Sequence, residues 1–130
     1  MERRTLLLCG LLALTGCGSP AAARQPGVGS ARTGDRVAGL ADVPEGSGAL
    51  VPMPGDGQLL VVRSADGVRV FNPACPHQGT VVDPPAAGVI TCPTHRSAFD
   101  PTSGAVLSGP SPKGLAEVPV RVSGEDIVLA

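Results

Sequence analysis

Residues 75–95 read CPHQGTVVDPPAAGVITCPTH. The stretch opens Cys75-Pro76-His77-Gln78-Gly79 and closes Cys92-Pro93-Thr94-His95, with residues 78–91 between the two motifs. It contains both histidines of the chain and the only cysteines beyond position 17. Thiolate and imidazole are soft and borderline ligands for iron, copper or zinc. Cys-x-His supplies one of each from a single turn, and Cys-x-x-His does the same from the next. Three readings of this pattern stand at this point. The four side chains can bind a redox metal centre. They can form a structural Cys2His2 zinc site, although zinc fingers usually pair Cys with Cys and His with His in order. Cys75 and Cys92 can instead form a disulfide in an exported protein, which leaves two histidines idle beside it.

The pattern resembles that of Rieske-type [2Fe–2S] proteins, whose signature is Cys-x-His, a gap of about this length, then Cys-x-x-His. The prolines beside the ligands are present as Pro76 and Pro93. Ser97-Ala98-Phe99-Asp100, Thr102-Ser103-Gly104 and Ser108-Gly109-Pro110 resemble the family's strand, turn and cluster-covering proline loop. The likeness covers roughly residues 36–130. It implies one [2Fe–2S] cluster per chain, with Cys75 and Cys92 on an inner iron and His77 and His95 on an outer one. It also implies an all-β fold: an antiparallel β-sandwich carrying a cluster-binding subdomain of two ligand loops, at about residues 72–107. Histidine ligation leaves the cluster near zero charge, so its potential falls between about −150 and +300 mV. Exposed imidazoles imply that electron and proton uptake are coupled.

Two departures bear on the type of member. Quinol-oxidising members carry an extra cysteine in each loop, joined as a disulfide; Thr80 and Thr94 stand at those positions here. Those members also direct a serine and a tyrosine hydroxyl at cluster sulfur. Ser97 matches the serine, as a residue behind the ligands, and Phe99 replaces the tyrosine. The expected potential therefore lies below the quinol oxidisers and above ferredoxin-like members. Arg96 replaces the usual glycine after the second histidine, either as a cation acting on the cluster or a partner, or as a solvated loop residue.

The two ligand loops echo each other. Each has Cys-Pro, a His, a small residue two further on (Gly79, Ser97) and an Asp-Pro (Asp83-Pro84, Asp100-Pro101).

Working outward, residues 1–16 have the form of an export signal rather than a fold. Arg3 and Arg4 are followed by an apolar run from Leu6 to Leu14, too short to span a bilayer. Leu14-Thr15-Gly16-Cys17 resembles a bacterial lipobox, which implies lipid attachment at Cys17 and a position on the outer face of the cytoplasmic membrane. An ordinary secretory signal is the plainer alternative. Arg3-Arg4-Thr5-Leu6-Leu7 also resembles a twin-arginine signal for folded export. Residues 17–35, rich in Gly, Ala, Pro and Ser, are expected to be a flexible tether.

From Arg36 the pattern is β. Strands are expected at Arg36–Leu40, Ala49–Met53, Gln58–Arg63, Val68–Phe71, Val89–Thr91, Ser97–Asp100, Ala105–Leu107, Val118–Val122 and Ile127–Leu129. Ala65-Asp66-Gly67 is a hairpin signal. The length, 130 residues, accommodates one domain. A net charge of −1, with no Trp or Tyr, argues against nucleic-acid binding.

Three functions fit. One is a membrane-tethered electron carrier with a redox protein as partner. Another is the Rieske subunit of a quinol-oxidising cytochrome bc complex. The third is a zinc module. The chain offers no nucleophile or general base of its own, so it is expected to transfer electrons rather than catalyse, alone or as a subunit of a larger oxidoreductase.

Overall fold

A computed structural model describes residues 24–130 of the chain. In chain order the strands are β1 (Gln25–Pro26), β2 (Arg36–Gly39), β3 (Ser47–Met53), β4 (Gly57–Ser64), β5 (Gly67–Phe71) and β6 (Ile90–Thr91). They continue with β7 (Ala98–Phe99), β8 (Val106–Ser108), β9 (Glu117–Val118), β10 (Val120–Ser123) and β11 (Asp126–Leu129). Short 3-10 turns occur at Leu40–Asp42 and Pro54–Asp56, and the described residues contain no α-helix. None is therefore a helix long and apolar enough to cross a membrane.

The fold is built on β4. Its run Leu59-Leu60-Val61-Val62 has no polar alternation, the pattern of a strand buried on both faces. Successive side chains on a strand point to opposite faces. Leu59 and Val61 accordingly enter one core with Val43, Met53, Val70 and Ile127. Leu60 and Val62 enter another with Phe71, Val82, Ile90 and Phe99. The first core fills the space between two sheets. One is β3–β4–β5–β9, with β1 beside the start of β4; the other is β10–β11–β2. The second core lies under a small sheet, β6–β7–β8. This antiparallel three-sheet architecture agrees with the fold class expected from sequence.

Turn chemistry sets the registers. Ser64 pairs with Gly67 across Ala65-Asp66, and Gly67 takes a φ of 130°. Ser123 pairs with Asp126 across Gly124-Glu125. Gly124 is the first residue of its loop, with a φ of 62°, and Gly67 closes the other loop from its strand; glycine takes such positive φ without a Cβ clash.

Two expectations need correction. The tether does not extend to residue 35. Gly27 and Gln58 exchange two backbone hydrogen bonds of 2.9 Å. The Arg24 guanidinium donates to the Met53 and Gly57 carbonyls at 3.0 and 3.1 Å. Val28 and Ala31 pack on the first core. Composition misled because this segment is held largely through its backbone, which side-chain hydrophobicity does not report. The expected strand Val118–Val122 is likewise two strands in different sheets: β9 pairs with β5 and β10 with β11. Pro119 lies between them, and its missing N–H interrupts a ladder. The export signal, the lipobox with Cys17 and the first part of the tether fall outside the described residues.

Candidate metal centre

Each ligand motif is the turn of a narrow hairpin. Ala74 pairs with Val81 around the first, and Thr91 with Ala98 around the second. The hydrogen bonds inside the turns correspond one to one. Cys75 N–H donates to Thr80 O and Cys92 N–H to Ser97 O, both at 2.8 Å. Gly79 N–H returns to Cys75 O at 2.7 Å, and Arg96 N–H to Cys92 O at 2.9 Å. Gly79 and Arg96 occupy the same place and share a left-handed backbone, with φ of 79° and 63°. The echo expected from sequence thus shifts by one residue: Gly79 matches Arg96, and Thr80 matches Ser97. The two turns are equal in length, and the histidine sits at the third residue of the first, His77, and at the fourth of the second, His95.

This geometry separates the four side chains into two pairs. Cys75 and Cys92 are both free, so the disulfide reading is overturned. Each is 2% exposed and belongs to the second core. His77 is half-buried and His95 exposed. Their ring centroids lie 4.9 Å apart at an interplanar angle of 75°. Two imidazoles on one tetrahedral ion, with bonds of about 2.1 Å, have centroids roughly 5 Å apart. The histidine pair therefore fits a single metal. Among the described residues no three His, Cys, Asp or Glu side chains surround one point. A buried thiol pair beside a more exposed imidazole pair is the donor set that mixed Cys/His ligation of an iron–sulfur cluster would use.

Ser97 lies behind this arrangement, fully buried. Its Oγ accepts from Ser111 N–H at 3.0 Å, which leaves its own proton to donate elsewhere. Ser108-Gly109-Pro110 passes directly over it. A Cβ on Gly109, which has a φ of 94°, would meet Ser97 Cα at 2.5 Å. Ser111 was not anticipated from sequence, since its role is a backbone donor. Phe99 is wholly buried and supplies packing without a hydroxyl. Thr94 Oγ1 donates to Thr80 Oγ1 at 2.8 Å, a hydroxyl bridge between the two loops at the positions matched above to the disulfide of quinol-oxidising members.

Comparison with known proteins follows the same lines. Residues 36–119 match the family model described as the Rieske [2Fe-2S] domain. The cytochrome b6-f complex iron-sulfur subunit of Synechococcus sp. (strain CC9605) is 35% identical over 95 residues, 70% of this chain and 53% of that protein. The chain spans about half or less of the length of the curated relatives it matches. Among solved structures, the plasma membrane Rieske protein PetC3 from Synechocystis PCC 6803 superposes with a TM-score of 0.63 at 30% identity. That match covers 74% of this chain and 98% of that one. The ferredoxin of carbazole 1,9a-dioxygenase from Nocardioides aromaticivorans IC177 does so with a TM-score of 0.59 at 28% identity, over 76% and 98%.

Proposed function

This chain belongs to the Rieske [2Fe–2S] family, and from that premise we propose that it is a membrane-tethered carrier of single electrons, holding its cluster through Cys75, His77, Cys92 and His95. Members of the family carry one [2Fe–2S] cluster per chain and serve electron transfer. The observation that supports the ligand assignment is the pair of congruent turns, with buried thiols inside and imidazoles 4.9 Å apart outside. When bound, such a cluster accepts and releases one electron in the range of about −150 to +300 mV.

The chain's own residues divide the work. Cys75 and Cys92 would hold the inner iron from a buried core, which would keep water from the thiolates. His77 and His95, the more exposed pair, would hold the outer iron within reach of a partner. Ser97, with one lone pair engaged by Ser111, keeps a hydroxyl proton that would donate to cluster sulfur and so raise the potential.

The tether rests on the lipobox ending at Cys17, which would hold the domain on the outer face of the cytoplasmic membrane. Two or more acyl chains give stable anchoring. Palmitate labelling that persists after Cys17→Ala would refute it.

Similarity to a cytochrome b6-f subunit favours a second reading, the Rieske subunit of a quinol-oxidising complex. Thr80, Thr94 and Phe99 weigh against it, since each lacks a group that such subunits use. Low-temperature EPR of the reduced protein, with metal analysis and a redox titration on the same sample, tests both. A rhombic signal with two irons per chain and a mid-range potential supports the carrier. A potential at the upper end of the range supports the quinol oxidiser. A silent spectrum with zinc would remove both.

A further inference from the structure

Arg96 pairs a sterically costly backbone with an unengaged charge. A left-handed backbone brings Cβ against the following carbonyl and is routine only for glycine. The matching place in the first loop is Gly79. Arg96 cannot leave this conformation without breaking its bond to Cys92 O, so a glycine would hold the turn more easily. Its side chain is exposed. Among the described residues, the guanidiniums of Arg36 and Arg69 pair with carboxylates, and those of Arg24 and Arg63 cap carbonyls. The Arg96 guanidinium has no such partner there, nor do those of Arg32 and Arg121 or the exposed Lys113 ammonium, and of these four Arg96 and Lys113 belong to the ligand loop and the loop that covers it.

One hydrogen bond ties the segments of the two cations together. Arg96 follows the exposed His95 and precedes Ser97. Lys113 lies two residues beyond Ser111, whose N–H bonds Ser97 Oγ. The segments 72–82, 92–99 and 108–113 contain Arg96 and Lys113 and no Asp or Glu. Asp83 and Asp100 lie past the paired bases of the loops, Asp100 is engaged by Thr102, and Glu117, four residues beyond Lys113, is paired with Arg69. The chain as a whole carries −1, so this tip is positive on an otherwise negative molecule.

We propose that Arg96 and Lys113 form a cationic collar beside the histidine pair and select a redox partner that presents carboxylates at its docking face. The proposal rests on the carrier reading for where the electron leaves. Charge complementarity of this kind acts mainly on encounter rate and is screened by salt.

The test oxidises the reduced, cluster-loaded protein by stopped flow with two one-electron oxidants of opposite charge. Ferricyanide is the anion and tris(1,10-phenanthroline)cobalt(III) the cation. In each reaction one electron passes from the cluster to the oxidant. The midpoint potential of every variant is measured so that rates compare at equal driving force. At low salt, Arg96→Gln with Lys113→Gln should slow ferricyanide by roughly tenfold and quicken the cobalt complex. Both effects should fade at high salt, and Arg96→Lys should keep the wild-type rates. Arg96→Gly should raise the melting temperature yet remain slow with ferricyanide. Equal corrected rates for wild type and variant, or the same change with both oxidants, would overturn the proposal. So would loss of the visible spectrum in Arg96→Gln, since Arg96 would then be holding the loop. Failure of the carrier reading would show separately, as a wild-type protein without the cluster spectrum.

Discussion

At Ser97 the oxygen accepts from one neighbour and keeps a proton to give to another. Ser111 N–H occupies a lone pair at 3.0 Å, and the hydroxyl proton would be available to a cluster sulfur. A hydrogen bond contributes about 0.5–1.5 kcal/mol, which for one electron is roughly 20–65 mV. Ser97→Ala should lower the midpoint potential by about that amount in a redox titration; no shift would mean the hydroxyl points elsewhere. The Thr94–Thr80 bridge is exposed and exchanges with water, so its contribution to stability is small, below about 1 kcal/mol. Its effect should appear in the loops instead. Thr94→Val should lose visible absorbance faster in the presence of an iron chelator, and Thr94→Ser should restore the wild-type rate. All four ligand candidates were legible in the sequence because their chemistry is carried by residue type. The hydroxyl bridge was not, because nothing in the spacing of Thr80 and Thr94 says that they touch.

Elements add a second kind of evidence. β4 serves both cores, so adjacent leucines test different halves of the molecule. Leu59→Ala and Leu60→Ala should each cost about 2–5 kcal/mol in urea unfolding. Only Leu60→Ala, which opens the core containing both cysteines, should also hasten cluster loss. The turn joining β7 and β8 carries a pH dependence. Asp100 accepts from the Thr102 hydroxyl at 2.7 Å and from Thr102 N–H at 2.8 Å. These donors, the hydroxyl first, hold its carboxyl below the ordinary value of 3.8. The unfolded chain binds the proton more readily, so this stabilisation is complete above that value and is lost as pH falls through the lowered one. Asp100→Ala should reduce the melting temperature at neutral pH, and the difference from wild type should vanish in strong acid. Most strands were legible from apolar runs and turn residues. The division of Val118–Val122 was not, since only a proline among five residues marks the change of sheet.

At the scale of the molecule, the N-terminal arm is part of the domain. β1, the paired backbone of Gly27 and Gln58 and the Arg24 caps attach it to the start of β4. With each hydrogen bond contributing about 1 kcal/mol, removing residues up to Ser30 should cost roughly 2–4 kcal/mol in urea unfolding. An unchanged midpoint would return the arm to the status of a tether. The arm also lies near the first ligand loop, because an added Cβ on Gly27 would sit 3.7 Å from the Asn72 side chain. The sequence by itself determined the four candidate ligands, the β class and most of the strands, because donor chemistry and apolar periodicity are written residue by residue. Tertiary structure alone decided which turns are congruent, which hydroxyls meet, where the arm docks and which cations stand unpaired. Those outcomes depend on backbone hydrogen bonds and on proximity between distant positions, neither of which a linear pattern encodes.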